Sequence, residues 1–240
     1  MNNRTVLILG CSSDIGVQTA HIFLEKNWKV IGHYNKSKKK TVKLQKKYGA
    51  RIKLFKLDLS NSKKISTFAK KKLAPIKKID SFVSLTGYIK STDFDHINHK
   101  SFLDHINVNY YSNLIFIKHI YKKMIRNKWG RILLSSSIGT SFGGGEKTFL
   151  YSLSKFSNEF IPKIFRNKYA KYILYNVLKI GVTDTKLHLK IPNKNLKKRI
   201  NLIPTKRMAT TQEVSDKIFS LASEENTLVH GQIINISGGE

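Results

Sequence analysis

Seven short apolar runs, separated by longer amphipathic segments, constrain the fold of this chain more than any other feature of it. They read TVLIL, KVIGHY, IKLFKLDL, DSFVSL, RILLSS, YILYNVLKI and QIINIS. Each is branched and short enough for one buried strand, and the segments between them are long enough for a helix. Strands alternating with helices predict an α/β fold, a doubly wound parallel sheet of the Rossmann type. Residues 110–128 set Leu114, Ile117, Ile120, Tyr121 and Met124 at helical spacing and should bury one face against that sheet. No repeat, Pro-rich linker or composition shift divides the 240 residues. A single domain over residues 1–240 is therefore expected.

The formal charge of +29, from 44 Lys+Arg against 15 Asp+Glu, raises the question of a phosphate-rich partner. The lysines, however, fall in short groups along the whole chain, at residues 38–40, 46–47, 63–64, 70–72, 122–123 and 197–198, often beside Asn and Ile. Such spreading predicts a solvated basic surface, and nucleic acid is not expected as a partner. Cys11 is the one cysteine, which precludes an internal disulfide and fits a reducing compartment. No stretch approaches the roughly 18 apolar residues of a membrane span, and the N-terminal run is too short for a signal sequence. A cytoplasmic protein is expected. The 8 histidines, among them His96, His99 and His105, have no companion cysteines and no H-E-x-x-H pattern, so no metal site is expected and they read as surface or capping residues.

The first run leads into GCSSDIG, residues 10–16, where small or short polar residues follow the first glycine and Ile15 precedes the second. A strand, a glycine-rich turn and a helix N-terminus together make an anion site, because unpaired backbone N–H groups and the helix dipole point at one spot. The pyrophosphate of a dinucleotide suits it. The pattern Gly10-x3-Asp14-Ile15-Gly16 resembles the G-x3-G-I-G loop of the short-chain dehydrogenase/reductase family, with Asp14 replacing the middle glycine. Asp14 directly precedes helical residues and could cap them. Cys11, in the same loop, reads as a small packing residue.

Tyr151 and Lys155, in YSLSK, are four residues apart and so share a helix face. A cation beside a phenol should lower the phenol's pKa and make it a usable general acid or base. In the resemblance this pair is catalytic. GRILLSSSIG then resembles the strand that ends in the family's catalytic serine, nominating Ser137, with Ser135 and Ser136 one or two places away in register. NVNYYSN resembles the family's asparagine motif, which nominates Asn109 over Asn107 to bend a helix and hold a water in a proton relay. The resemblance assigns Gly10, Ser12, Ser13, Asp14, Ile15, Gly16 and Gly87 to the cofactor loops, Asp58 and Leu59 of KLDLS to the adenine, and Thr183 and Thr185 of IGVTDT to the nicotinamide and phosphate. It extends to the C-terminal glycine pair Gly238 and Gly239, in a tail most similar to 3-oxoacyl-carrier-protein reductases. Two departures stand out: Ile180 replaces a proline, and Ser84-Leu85-Thr86-Gly87 replaces N-N-A-G, with loss of an asparagine that ties the central strands.

After the second run, Tyr34 stands where an NAD-preferring member would carry an acid, followed by Asn35, Lys36 and Ser37. Hydrogen bonds and positive charge there favour a 2′-phosphate, so NADP(H) is the expected cofactor over NAD(H). The expected activity is interconversion of a carbonyl and a secondary alcohol, with Tyr151, Ser137, Lys155 and Asn109 catalytic and Tyr151 and Lys155 also touching cofactor. Residues 186–207, basic and apolar by turns, should cap the site. They suit an acyl chain on an acidic carrier protein, as in a 3-oxoacyl-carrier-protein reductase, and equally a sugar or other small carbonyl compound of surface-polysaccharide or secondary metabolism. A non-catalytic dinucleotide-binding sensor is the alternative from another class. The resemblance also implies a homotetramer or homodimer.

Overall fold

Every apolar run becomes a strand in the computed structural model, which describes residues 4–191 and 195–240. The strands are β1 (Thr5–Leu9), β2 (Lys29–Tyr34), β3 (Ile52–Lys56), β4 (Ser81–Ser84), β5 (Gly130–Ser137), β6 (Ile173–Ile180) and β7 (Ile233–Ile236). They form one parallel sheet in the order β3-β2-β1-β4-β5-β6-β7. The chain runs outward from β1 to β3, returns to β4 beside β1, and then runs outward the other way. The reversal between β1 and β4 opens a crevice at the carboxyl ends of the strands, where sites of such sheets form.

Alternation along each strand feeds two cores. Leu7, Leu9, Phe82, Ile132, Leu134 and Val177 face one side, under α3 (Ser62–Phe68) and α5 (Ser112–Arg126). Val6, Ile8, Val83, Leu133 and Leu178 face the other, under α1 (Asp14–Glu25), α2 (Lys39–Tyr48) and α9 (Thr211–Ala222). Strands buried on both faces must be apolar at consecutive positions, which is why they read as unbroken runs. Helices α4 (His99–Ile106), α6 (Phe149–Phe156), α7 (Lys163–Arg166) and α8 (Leu196–Asn201) complete the chain order, α4 and α6 packing at the crevice end. Among the described residues, no helix is long and apolar enough to cross a membrane.

Residues 110–128 are not one regular helix. A π turn covers Asn107–Tyr111 before α5 begins, and a π turn widens the spiral by one residue and shifts the face that follows. Ile117, Ile120 and Met124 are buried as expected, but Phe116 is buried too, while Leu114 and Tyr121 are only half-buried. Lys123 also points inward, donating to the carbonyls of Leu73, Ala74 and Ile76. These close the chain end that follows α3 without burying an unpaired charge.

The histidines depart from expectation. His96 and His99 are exposed, but His105 and His33 are buried. His105 donates through Nδ1 to the Ser101 carbonyl and accepts the Lys90 N–H, joining α4 to the loop after β4. A ring flanked by one carbonyl and one N–H is satisfied as the neutral tautomer, so burial costs little.

Candidate active site

A cleft of about 840 Å³ opens at the crevice end of the sheet. Its floor is the turn between β1 and α1. The helix is capped by Ser13, whose hydroxyl accepts the Gly16 N–H at 3.0 Å, and not by Asp14 as expected. Asp14 is the first helical residue, and its carboxylate reaches outward instead. It pairs with Lys40 of α2 and accepts the Lys186 N–H at 2.9 Å. Burial would raise its pKa, but these hydrogen bonds prevail and hold it below the usual carboxylate range. The anion-binding helix end thus carries an internal carboxylate that is itself held by a cation and a backbone donor.

Two glycines give this turn its shape. A Cβ on Gly16 would lie 2.2 Å from the Gly10 carbonyl oxygen, and one on Gly10 would lie 2.7 Å from that of Leu85. Strand, loop and helix therefore pack backbone to backbone. The loop is also held from below by His33, which accepts the Gly10 N–H through Nδ1 and donates through Nε2 to the Leu57 carbonyl. Burial pushes its pKa down to about 4, so the ring stays neutral and keeps both bonds at physiological pH. Nothing local in the sequence distinguishes His33 from a surface residue.

Opposite the floor, α6 presents Tyr151 and Lys155 on one face, as their spacing requires. Lys155 is 2% exposed, and its Nζ donates to the Thr86 carbonyl at 3.0 Å and to Ser135 Oγ at 2.8 Å. Burial lowers its pKa to about 7. The expected lowering of the Tyr151 pKa is not found: burial pushes the phenol up to about 12, opposed only by a hydrogen bond with Ser137. The Lys155 protons point instead to the Thr86 carbonyl and Ser135 Oγ.

The three serines that end β5 separate by strand alternation. Ser135 faces Lys155, Ser136 turns to the other side and donates to Glu159 at 2.6 Å, and Ser137 meets Tyr151. Ser137 is thus the hydroxyl placed with the phenol at the cleft.

Asn109 lies fully buried in the π turn. Its side chain pairs with both the N–H and the carbonyl of Tyr88, at 2.8 and 2.9 Å, and donates to Ser154 of α6 at 2.8 Å. Its carbonyl receives the amides of Asn113 and Asn158, both at 2.9 Å. The asparagine therefore fastens α6 to the loop after β4, and its carbonyl is held by two side-chain amides. Asn107 instead donates to the Ser60 carbonyl, outside the cleft.

The cleft is also lined by Ser12, Ser13, Asp14, Ile15, Ser37, Gly87, Thr183 and Thr185. A Cβ on Gly87 would meet nothing within 4 Å, so the wall there is open, and Thr86 keeps its backbone oxygen on Lys155 despite the altered sequence. Asn35, Lys36, Asp58 and Leu59 do not line this cleft. Leu59 is a core residue, and Asp58 accepts the N–H and hydroxyl of its neighbour Ser60. Lys40 and Lys186 are cations that line the cleft beside Asp14, and Lys40 reaches it from the first turn of α2, where nothing in the run of lysines 38–40 sets it apart. Leu187, His188, Ile191 and Arg199 of the capping segment face the cleft as expected, while residues 192–194 lie outside the described residues. Thr205 and Pro204 of the same segment pack on Gly238 and Gly239, whose φ values of +70° and +101° suit glycine.

A family model described as enoyl-(acyl carrier protein) reductase matches residues 10–240. Nodulation protein G of Rhizobium meliloti (strain 1021) is 27% identical over 240 residues, covering 100% of this chain and 97% of that protein. The 3-oxoacyl-[acyl-carrier-protein] reductase of Buchnera aphidicola subsp. Schizaphis graminum is 26% identical over 242 residues, covering 100% and 98%. The solved structure of ElxO with NADP bound superposes with a TM-score of 0.85 at 25% identity, covering 99% of this chain and 98% of that one.

Proposed function

The chain belongs to the short-chain dehydrogenase/reductase family, and from that membership we propose that it is an NADP(H)-dependent oxidoreductase interconverting a carbonyl and a secondary alcohol. The observation that carries this reading is the meeting of Ser137, Tyr151 and Lys155 at one cleft wall, facing a glycine-built helix N-terminus. ElxO, with NADP bound, offers the parallel for the cofactor.

The residues present fit a dinucleotide. Ser12, Ser13 and Ile15 would hold its pyrophosphate, Ser37 and Lys40 its 2′-phosphate, and Lys155, Thr183 and Thr185 its nicotinamide half. When bound, the reduced cofactor supplies a hydride to the substrate carbon. Tyr151 donates the proton to the carbonyl oxygen, and Ser137 stabilises the charge developing there. Lys155, once protonated, holds ribose hydroxyls and favours the phenolate that remains. Asn109 keeps α6 in place.

Ile89, Ile138, Leu187 and Ile191 also line the cleft, as do Lys147, His188 and Arg199, the last paired with Glu240. An apolar chain with a polar or anionic end suits that lining, and a 3-oxoacyl thioester, as the name of the Buchnera relative suggests, is the first probe. The test follows the loss of reduced-nicotinamide absorbance with a short 3-oxoacyl thioester, then with sugar-derived and other small carbonyl compounds, using NADPH and NADH. Turnover preferring NADPH supports the reading. Dinucleotide binding with no turnover of any carbonyl favours a sensor, and no binding at all defeats the proposal.

Asp14 gives a sharper prediction. The variant Asp14→Asn keeps an acceptor for the Lys186 N–H but releases Lys40. The Kd for NADPH is expected to fall by about fivefold, the effect of one partly exposed charge pair, while that for NADH changes less. Equal changes for the two dinucleotides would remove Lys40 from the 2′-phosphate.

A further inference from the structure

Behind the cleft wall lies a buried carboxylate that the proposed chemistry does not use. Glu159 ends the short turn after α6, four residues beyond Lys155. Its side chain is 7% exposed. Oε1 accepts from the hydroxyls of Ser136 at 2.6 Å and Thr140 at 2.7 Å. Oε2 pairs with Lys179 at 3.1 Å, and that side chain is itself only 12% exposed. Thr140 Oγ1 also lies 2.8 Å from the Ser137 carbonyl oxygen, and Lys179 Nζ reaches Ser141 Oγ at 3.4 Å.

The placement of these groups gives the cluster its meaning. Ser136 and Lys179 are partners in register across β5 and β6, and the next pair along is Ser137 and Ile180, both at the cleft. One carboxylate therefore joins three pieces of chain at the point where each enters the site: the continuation of α6, which carries Tyr151 and Lys155; the end of β5, which carries Ser137; and the end of β6, which leads into residues 180–185. A buried ion pair is a poor source of net stability, since desolvation offsets the attraction. It is a good source of fixed geometry, because each partner has few alternatives.

We propose that Glu159 is a positioning residue that sets Ser137 against Tyr151 and against the segment after β6, acting through Ser136, Thr140 and Lys179. The inference rests on the proposed reductase activity for its kinetic readout. Misplacing a reacting group by a fraction of an ångström is costly in rate and leaves binding of the rest of the ligand intact.

The variant Glu159→Gln keeps size and one acceptor oxygen but turns an amide toward Lys179. Its kcat is expected to fall by about tenfold or more, with the Kd for NADPH within about twofold of the parent. Backbone amide exchange should quicken in residues 137–142 and stay unchanged in β1 and β4. Adding Lys179→Met removes the conflict with the amide and should recover part of the kcat. If Glu159→Gln does not fold, Lys179→Met alone serves, since it cuts the link to β6 and should lower kcat by about threefold or more. A purely structural pair would instead lower the melting temperature and leave kcat per folded molecule and local exchange unchanged, and that result overturns the proposal. The exchange arm needs no turnover: a parent protein inactive on every carbonyl defeats the activity reading, and the positioning role is still decided by whether residues 137–142 loosen.

Discussion

Replacing Tyr151 with phenylalanine is expected to lower kcat for carbonyl reduction by about a thousandfold, within the range for loss of a positioned general acid. The Kd for NADPH should stay within about twofold, because the missing oxygen serves the reacting carbonyl more than the cofactor. The direction of the pKa shift sharpens the test. Burial pushes the phenol up to about 12, so in the protein alone it is fully protonated at neutral pH. Reduction consumes that proton, which the phenol holds across the neutral range, so a fall in its rate above about pH 7 would report loss of the Lys155 proton. Oxidation of the alcohol needs the phenolate, so its rate should climb as pH rises. Loss of that climb in Ser137→Ala would show that the one hydrogen bond opposing the upward shift matters to the reverse reaction. A Tyr151→Phe protein that keeps more than a tenth of its activity would move the proton donor elsewhere.

The fold was legible because the central strands are buried on both faces and so are apolar at most consecutive positions, while the helices between them are amphipathic. β1 and β2 run over the same residues as the first two apolar runs. Tyr151 and Lys155 were legible for a similar reason, since helical spacing alone puts them on one face. Among Ser135, Ser136 and Ser137 the resemblance nominates Ser137, and the pleat of β5 supplies the physical reason, setting Ser137 with Tyr151 and turning Ser136 to Glu159. What stayed hidden depends on contacts between residues far apart in sequence. Asp14 meets the Lys186 N–H across 172 positions, and Glu159 meets Ser136 across 23. Such partners leave no local periodicity. Buried polar residues such as His33, Lys123 and Glu159 are read from sequence as surface, and only the structure supplies the carbonyls and hydroxyls that make their burial tolerable.

Replacing Lys155 with methionine is expected to abolish turnover and, at the same time, to stabilise the folded protein below neutral pH. The lysine is almost wholly buried, and burial lowers its pKa from 10.5 to about 7. Between about pH 7 and 10.5 the unfolded chain binds the proton and the folded protein does not, so stability must rise with pH across that window. A shift of this size corresponds to several kcal/mol, on the order of 1.4 kcal/mol for each unit. Below pH 7 the folded protein carries the full cost of a charged amine out of water. Methionine removes that cost, and leaves the Thr86 carbonyl and Ser135 Oγ without their donor, at about 1–3 kcal/mol each. With the two lost hydrogen bonds at the lower end of that range, since Ser135 Oγ is a hydroxyl that can turn to another partner, the first effect outweighs the second near pH 6 and the variant should melt higher. Near pH 10 the lysine is neutral and keeps both hydrogen bonds, so the parent should melt higher. Melting curves at the two pH values, without added dinucleotide, decide the matter: a difference of the same sign at both would mean that Lys155 is not charged at the cost its burial implies. A crossing of sign would mark a residue kept in the core at the expense of stability, as expected of a group whose charge is wanted only when a ligand is there to share it.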